Sequence, residues 1–498
     1  MPTYNKHQLR ARTGMFMKNL SYVFLLFLSG CISMTDNEKK ENLMKAPSLD
    51  KSQKKALDST MFSRGNWPDK TWWNSFESPL LTSWIEEAFS KNPSLRSVEI
   101  QIDQARQIAK VNHAKLFPTL FFDASDNYRY FSENQFYHIL NPSLGLPGYE
   151  VDLSLAFNYE FDFWSKNRNL FRSAMGEMKA KEAEFYEAQL ILSTSLTQAY
   201  FAILTTTKKQ ELYSNLVDVR TMRLELQNQL QNSALISAFP PLLSNENVNE
   251  AKQMLLSMND EIDIQTHLIN VLMGRGPDED LCLDSLPTTP IQRIPLPENL
   301  SIELLSRRPD LMAQIWKAEA LAAQVGVAKA DFFPNINLTL LGGLKSIAWG
   351  TLFNSASHAL GYKPALSLPI FTAGSIRANV RAKKAAFDQA IFQYNNLLLT
   401  SAQEVADLLS QVNMVYSQQD LQAQVVLDAK KRLELTFLRI ESGLDSQFSF
   451  LDYEEALIEK RINEIDLTYL QYAYLIKLIK SLGGGFVFSQ IPISLEQA

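Results

Sequence analysis

The sequence predicts a mainly α-helical chain with a membrane β-barrel component, assembled from two internal repeats. Three observations predict it. The two halves match each other at equal spacings, very long stretches contain neither Gly nor Pro, and each half carries short segments that alternate apolar with polar residues. The chain has 498 residues, 48 basic and 54 acidic side chains and a formal charge of -6, so it lacks the clustered cations that nucleic-acid binding requires. After residue 30 no uninterrupted apolar run approaches the roughly 20 residues of a bilayer-crossing helix. With only 18 Gly and 20 Pro, the composition favours long regular elements.

Residues 1–30 read as a lipoprotein signal. Lys6, Arg10, Arg12 and Lys18 precede the apolar run from Tyr22 to Leu28, the order of an export signal. Met1, Met15 and Met17 are each compatible starts, because Lys18 already supplies a basic head. The signal ends in Leu28-Ser29-Gly30-Cys31, which resembles the bacterial lipobox, and Cys31 is the expected acylation site, carrying diacylglyceryl and acyl groups. Ile32, in place of the Asp that retains such proteins at the inner membrane, directs the expectation to the outer one. Each buried CH₂ of an acyl chain contributes about 0.8 kcal/mol, so three chains would hold the N-terminus at a membrane surface. Residues 31–76 read as an extended, polar tether.

The first repeat is expected over 77–274. Asn92-Pro93-Ser94-Leu95 is followed at a fixed distance by Ala114-Lys115-Leu116-Phe117-Pro118, a helix ended by the extended conformation that Phe-Pro imposes. A strand is expected over about 119–130 and another over 151–163, where Val151, Leu153, Leu155, Phe157, Tyr159 and Phe161 alternate with Asp152, Ser154, Ala156, Asn158, Glu160 and Asp162. A soluble sandwich with one wet face would read the same; the acylation signal favours lipid. Leu212, Leu216, Val219, Leu226 and Leu230 then follow a 3.5-residue period broken by Arg223. Residues 275–298, with Pro277, Pro287, Pro290, Pro295 and Pro297, form a linker expected to be neither helix nor central strand.

The second repeat, 299–485, restates the first. Arg308-Pro309-Asp310-Leu311 and Ala330-Asp331-Phe332-Phe333-Pro334 keep the same internal spacing, and strands are expected over about 335–342 and 362–371. Ser375 to Ser442 contains no Gly or Pro, and Val405, Leu409, Val412 and Tyr416 open a heptad run that continues to Ile440. At 1.5 Å per residue that helix would reach about 100 Å. Ala234 to Pro241 and Gly443 to Leu451 are the expected hairpin tips, and 486–498 is a C-terminal tail. Four strands cannot close a barrel. The smallest natural barrels have about eight, and an open edge in hydrocarbon leaves backbone groups unpaired, so several chains must share one barrel.

Taken together, the lipobox at Cys31, Arg307-Arg308-Pro309-Asp310-Leu311 with Glu319, Ala328-Lys329-Ala330 running to Phe333-Pro334, Tyr159 to Trp164, and Leu368-Pro369-Ile370-Phe371 leading to Gly374 and Arg377 resemble the TolC-type outer-membrane efflux proteins, in their OprM/NodT-like lipoprotein branch. The resemblance covers about residues 70–486. It implies a homotrimer with a twelve-stranded barrel in outer-membrane lipid and a coiled-coil helical tunnel in the periplasm. Such a duct passively passes drugs or toxic solutes from an inner-membrane transporter, through a periplasmic adaptor that docks on the helical tips; a type I protein-secretion duct is the related alternative. It further implies tip contacts at Ala234, Leu235, Gly443 and Leu444, although Ala234 stands where the family has Gly. It also implies a pore constriction with Asp452 as first candidate and Asp445 and Glu441 as neighbours; an acid in the first turn of a helix is equally explained by the helix dipole. No enzyme is expected, since His7, His113, His138, His267 and His358 are scattered and no metal, nucleotide or nucleophile motif appears. A periplasmic coiled-coil spacer lipoprotein would explain the heptads and Cys31, but not the two-faced strands.

Overall fold

The computed structural model describes residues 41–59, 61–129, 148–283, 294–297, 300 and 307–487. The chain divides into Met1–Asn42 and Leu43–Ala498, and every element below belongs to the second unit. The signal segment and Cys31 lie outside the described residues.

The elements run α1 (Asp50–Leu57), β1 (Phe62–Arg64), a 3-10 turn (Trp72–Phe76), α2 (Pro79–Lys91), α3 (Pro93–Ala114), β2 (Thr119–Arg129), β3 (Gly148–Phe161), α4 (Lys166–Asn232) and α5 (Phe239–Met273). After the linker come β4 (Ile294–Leu296), α6 (Pro309–Ala330), β5 (Asn335–Ser346), β6 (His358–Ser367), α7 (Ser375–Glu441) and α8 (Gln447–Ser481). The duplication extends to element length. α3 and α6 have 22 residues each, α4 and α7 have 67, and α5 and α8 have 35.

Helix ends abut where the repeats would otherwise fall apart. Asn92 caps α3 by accepting from the Leu95 N–H at 3.0 Å and donates to the Leu272 carbonyl in the last turn of α5 at 2.9 Å. In the second copy Arg308 takes that place, donating to the Ser481 carbonyl at the end of α8 at 3.2 Å. Gly483, at φ +88°, lies so close to Arg307 that a Cβ would stand 2.0 Å from its carbonyl oxygen, so only glycine fits. α3, α4, α6 and α7 therefore pack side by side near the strands, while α5, α4, α8 and α7 pack together toward the hairpin tips. The main core sits between these zones. There Phe201 stacks on Tyr472 at 3.7 Å, Trp84 meets Tyr200 edge-on, and Trp72, Trp73 and Leu296 close the layer.

Several boundaries depart from the sequence reading. The tether contains α1 and β1; Gln53 donates to the Pro297 carbonyl at 2.6 Å, and β1 pairs in parallel with β4, a short edge strand inside the linker. Such short elements are fixed by tertiary contacts and leave no periodicity of their own. The last strand spans His358–Ser367 rather than 362–371, because its partner β5 begins at Asn335 and Pro369 has no N–H to extend the ladder. β5 itself runs on through Gly342 and Gly343 to Ser346; a Cβ at Gly343 would stand 2.3 Å from the Leu153 carbonyl oxygen. The tips are also tighter than expected, with α4 and α7 ending at Asn232 and Glu441, and α5 and α8 starting at Phe239 and Gln447.

Candidate functional site

β2, β3, β5 and β6 form one antiparallel sheet in that order, so β2 and β6 each leave an edge unpaired among the described residues. The register aligns residues of one kind on each face. Phe122, Leu155, Gly342 and Leu360 form one row, and Leu120, Phe157, Leu340 and Tyr362 the next. Leu360 and Tyr362 are 90% and 80% exposed, and Leu120, Phe122 and Leu155 are exposed with them. The opposite face is largely polar, apart from the row Phe121, Ala156, Leu341 and Gly361: Thr339 donates to the Asn158 side chain at 2.9 Å, Asn335 to Glu160 at 3.0 Å, and Lys345 pairs with Asp152 at 2.6 Å. Aromatic groups flank both ends of the apolar face. Phe117, Phe371 and the stacked Trp164–Phe333 pair, at 4.5 Å, stand at the helical end; Tyr128 meets Tyr149 at 5.1 Å at the other.

Below the sheet, α3, α4, α6 and α7 curve around a cavity of about 620 Å³. A volume touched by all four helices lies on their concave side. Its wall is mixed: Gln104, Asn112, Glu177, Gln324 and Lys383 stand among Ile108, Leu170 and Val327, and Lys383 donates to Gln324 at 3.0 Å. Where strand passes to helix, Asp162 turns out of β3 and accepts from the Asn167 and Arg168 N–H groups at 2.9 Å each, capping α4, while Lys166 pairs with Asp331 at 2.8 Å. The cavity walls offer solvated amides and paired charges rather than a nucleophile with a base, or a cluster of metal ligands.

At the far end the two tips share one geometry. Ala234 (φ +56°) and Gly443 (φ +69°) both adopt the left-handed conformation, and the next N–H in each, Leu235 and Leu444, reaches back to Leu230 and Arg439 at 2.9 and 2.8 Å. This is the same helix-ending motif twice, and Ala234 adopts it despite its Cβ. It leaves Leu235 and Leu444 at the apices, 69% and 68% exposed.

The candidate constriction acids differ in their surroundings. Asp445 belongs to the turn itself: it accepts from the Ser446 N–H at 2.9 Å and pairs with Arg439 at 3.2 Å, and bonds from Ser449 and Ser446, then Arg439, hold its carboxyl below the usual range. Glu441 is exposed at the end of α7. Asp452 accepts from Arg223 of α4, in the other repeat. One turn away on each helix, Arg220 pairs with Glu455 at 2.6 Å and donates to the Asn247 carbonyl of α5 at 2.8 Å. These arginines were not anticipated as partners of the tip acids. The one trace in the sequence is that Arg223 breaks the heptad of its helix.

Comparison with known proteins matches the sequence profile described as "Outer membrane efflux protein" to residues 84–274 and 300–484. Over 475 residues the chain is 26% identical to "Multidrug resistance outer membrane protein MdtQ" of Escherichia coli O6:H1, covering 93% of this chain and 97% of that protein. It is also 26% identical, over 491 residues, to "Probable outer membrane lipoprotein SilC" of Salmonella typhimurium, covering 95% and 99%. Among solved structures, the outer membrane protein VceC of Vibrio cholerae superposes with a TM-score of 0.74 at 28% identity, covering 84% of this chain and all of that one.

Proposed function

The chain belongs to the outer membrane efflux protein family and is an efflux protein rather than an enzyme; on that premise we propose that three copies close one twelve-stranded barrel and one helical duct for small toxic solutes. The observation that carries this is the four-stranded sheet with one continuous apolar face and two unpaired edges. Hydrocarbon tolerates the face but not the edges, which a neighbouring copy satisfies. Further support comes from apolar stripes at the sides of the helical layer. Met414, Leu421 and Val425 on α7, and Ile264, Leu268 and Val271 on α5, are exposed at helical spacing and await a partner surface. The cavity wall, with its amides and charged groups, becomes part of the lining of an aqueous passage.

Acylation of Cys31 anchors the N-terminus in this reading, in keeping with the likeness to a protein named a probable lipoprotein. Ala234, Leu235, Gly443 and Leu444 present the two apices to a periplasmic adaptor, which joins the duct to an inner-membrane transporter supplying the energy. The resemblance to a multidrug resistance protein favours drugs or toxic solutes as cargo. Deleting the gene in its own host is expected to raise intracellular accumulation of dyes and antibiotics several-fold, with restoration by the intact gene. Unchanged accumulation together with loss of a secreted protein would replace solute efflux by protein secretion.

Asp452 is the proposed constriction residue, one from each copy around the three-fold axis. Its bond to Arg223 ties α8 to α4, so the acid serves as a latch as well as a charge. Asp452→Ala is expected to raise single-channel conductance in planar bilayers, and Arg223→Ala to raise it by a similar factor. The double substitution should add little to either, because both remove one bond. Unchanged conductance in the single variants would remove the constriction from this site.

A further inference from the structure

The long helices of the two repeats begin with the same unexplained feature. Arg168 and Arg172 are the third and seventh residues of α4; Arg377 and Arg381 are the third and seventh of α7. Neither helix has an acid in its first turn, and α7 has no side-chain cap. A cation in the first turn, as at Arg168 and Arg377, opposes the helix dipole, which places partial positive charge at a helix start; Arg172 and Arg381 follow one turn further in. Arg168 is 61% exposed, lying 3.6 Å from Asp162, whose oxygens already cap the helix. Arg172, Arg377 and Arg381 are exposed and make no ion pair among the described residues. Two helices thus carry paired cations at their starts, and apart from Asp162 beside Arg168 no balancing anion stands against them among the described residues.

Position identifies the anion that would balance them. With 3.6 residues per turn, Arg168 and Arg172 lie on the side of α4 away from the cavity-lining Leu170 and Glu177, and Arg377 and Arg381 on the side of α7 away from Asn379 and Lys383. Lys110 on α3, also exposed, lies opposite the cavity-lining Gln101. All five cations therefore face outward, within about 10 Å of the helix ends that meet the strands. Immediately above them are the exposed aromatic groups Phe117, Trp164 and Phe371 that edge the apolar face. Aromatic side chains with cations just beyond them mark the depth at which a bilayer passes from acyl chain to headgroup.

We propose that Arg168, Arg172, Arg377, Arg381 and Lys110 form a collar that binds the phosphates of anionic phospholipids in the leaflet at the helical end of the barrel. The proposal rests on the membrane reading above. Guanidinium groups suit the role because their planar fork grips phosphate oxygens in pairs. In a trimer the internal repeat sets six such arginine pairs around the ring, alternating between α4 and α7.

The test reconstitutes the full chain and its R168Q/R172Q/R377Q/R381Q variant in phosphatidylcholine vesicles and in equal mixtures of phosphatidylcholine and phosphatidylglycerol. Phospholipid retained after gentle detergent extraction is then measured by mass spectrometry. The wild type should enrich phosphatidylglycerol several-fold over the input ratio, and added salt should reduce the enrichment. Each cation at an anionic surface raises affinity roughly fivefold, so the variant should fall to the input ratio while remaining assembled. A matched variant with lysine at the four positions should keep most of the enrichment. Equal enrichment by wild type and glutamine variant overturns the collar, and unchanged enrichment with lost efflux assigns the arginines to a protein partner instead. Dissociation of the glutamine variant, with the lysine variant intact, would mean that the arginines join protomers. Failure of the wild type to enter even pure phosphatidylcholine would overturn the membrane reading itself.

Discussion

Leu155→Arg is expected to leave a chain that is exported but fails to assemble in the outer membrane. Leu155 sits mid-strand in β3, between Phe122 and Gly342 on the apolar face, with its side chain exposed. A cation at mid-depth on the lipid face of a barrel costs about 2–4 kcal/mol, and three-fold assembly repeats that cost in every copy. The sum, on the order of 6–12 kcal/mol, is comparable with the whole stability of a typical domain. Ala365→Lys on β6 is the control. Ala365 pairs with Asn337 on the polar face, beside Lys363, where a further cation meets water. Membrane fractionation and heat-resistant trimer on a mildly denaturing gel measure both variants. Equal seating of the two would show that the apolar face does not meet lipid, and the barrel would be lost with it.

The contrast between these two positions was legible in the sequence, because a period of two reports the faces of a strand whatever it pairs with. The same holds for the long helices. A run without Gly or Pro from Ser375 to Ser442 became a helix from Ser375 to Glu441, since nothing local could stop it earlier. Strand ends were less legible. Leu366, Leu368 and Ile370 continue the alternation past Ser367, yet pairing stops there because β5 has no earlier residue to offer. Asp452 could be placed at a tip from its position alone, but its bond to Arg223 spans 229 residues and depends on how the repeats pack. Ala234 shows the opposite limit. Its Cβ argues against a left-handed cap, and it adopts one because the two tips share a hydrogen-bonding frame.

Arg308→Met is expected to unfasten the second repeat at the junction of α8 with α6, and to do so more at pH 8 than at pH 5. Arg308 is 12% exposed and joins three partners: Asp310 at 2.7 Å, Glu404 at 3.0 Å and the Ser481 carbonyl at 3.2 Å. Burial disfavours its charged guanidinium, which is nevertheless held in that form chiefly by the bonds it donates to Asp310. Removing one member of a buried ion pair costs about 3–5 kcal/mol, and the lower end applies here because Glu404 is partly solvated. The first repeat does the same work without a charge, through Asn92, and its nearby Glu87 is held at about 2 mainly by Arg275. Glu187 reaches the Arg308 cluster from α4 of the first repeat, with its carboxyl pushed up to about 7, first by burial and then by Asp310, while Lys480 and Arg308 oppose the rise. A carboxyl whose folded pKa is raised binds more protons folded than unfolded, so its ionisation removes stability as pH rises from about 4.5 toward 7 and above. Without Arg308 that ionisation meets Asp310 and Glu404 with one fewer cation nearby. Thermal unfolding followed by circular dichroism in detergent should therefore show a larger drop in Tm at pH 8 than at pH 5, and E187Q in the R308M background should narrow the gap. Equal losses at both pH values would mean that Arg308 acts through packing of its aliphatic stem rather than through its charge.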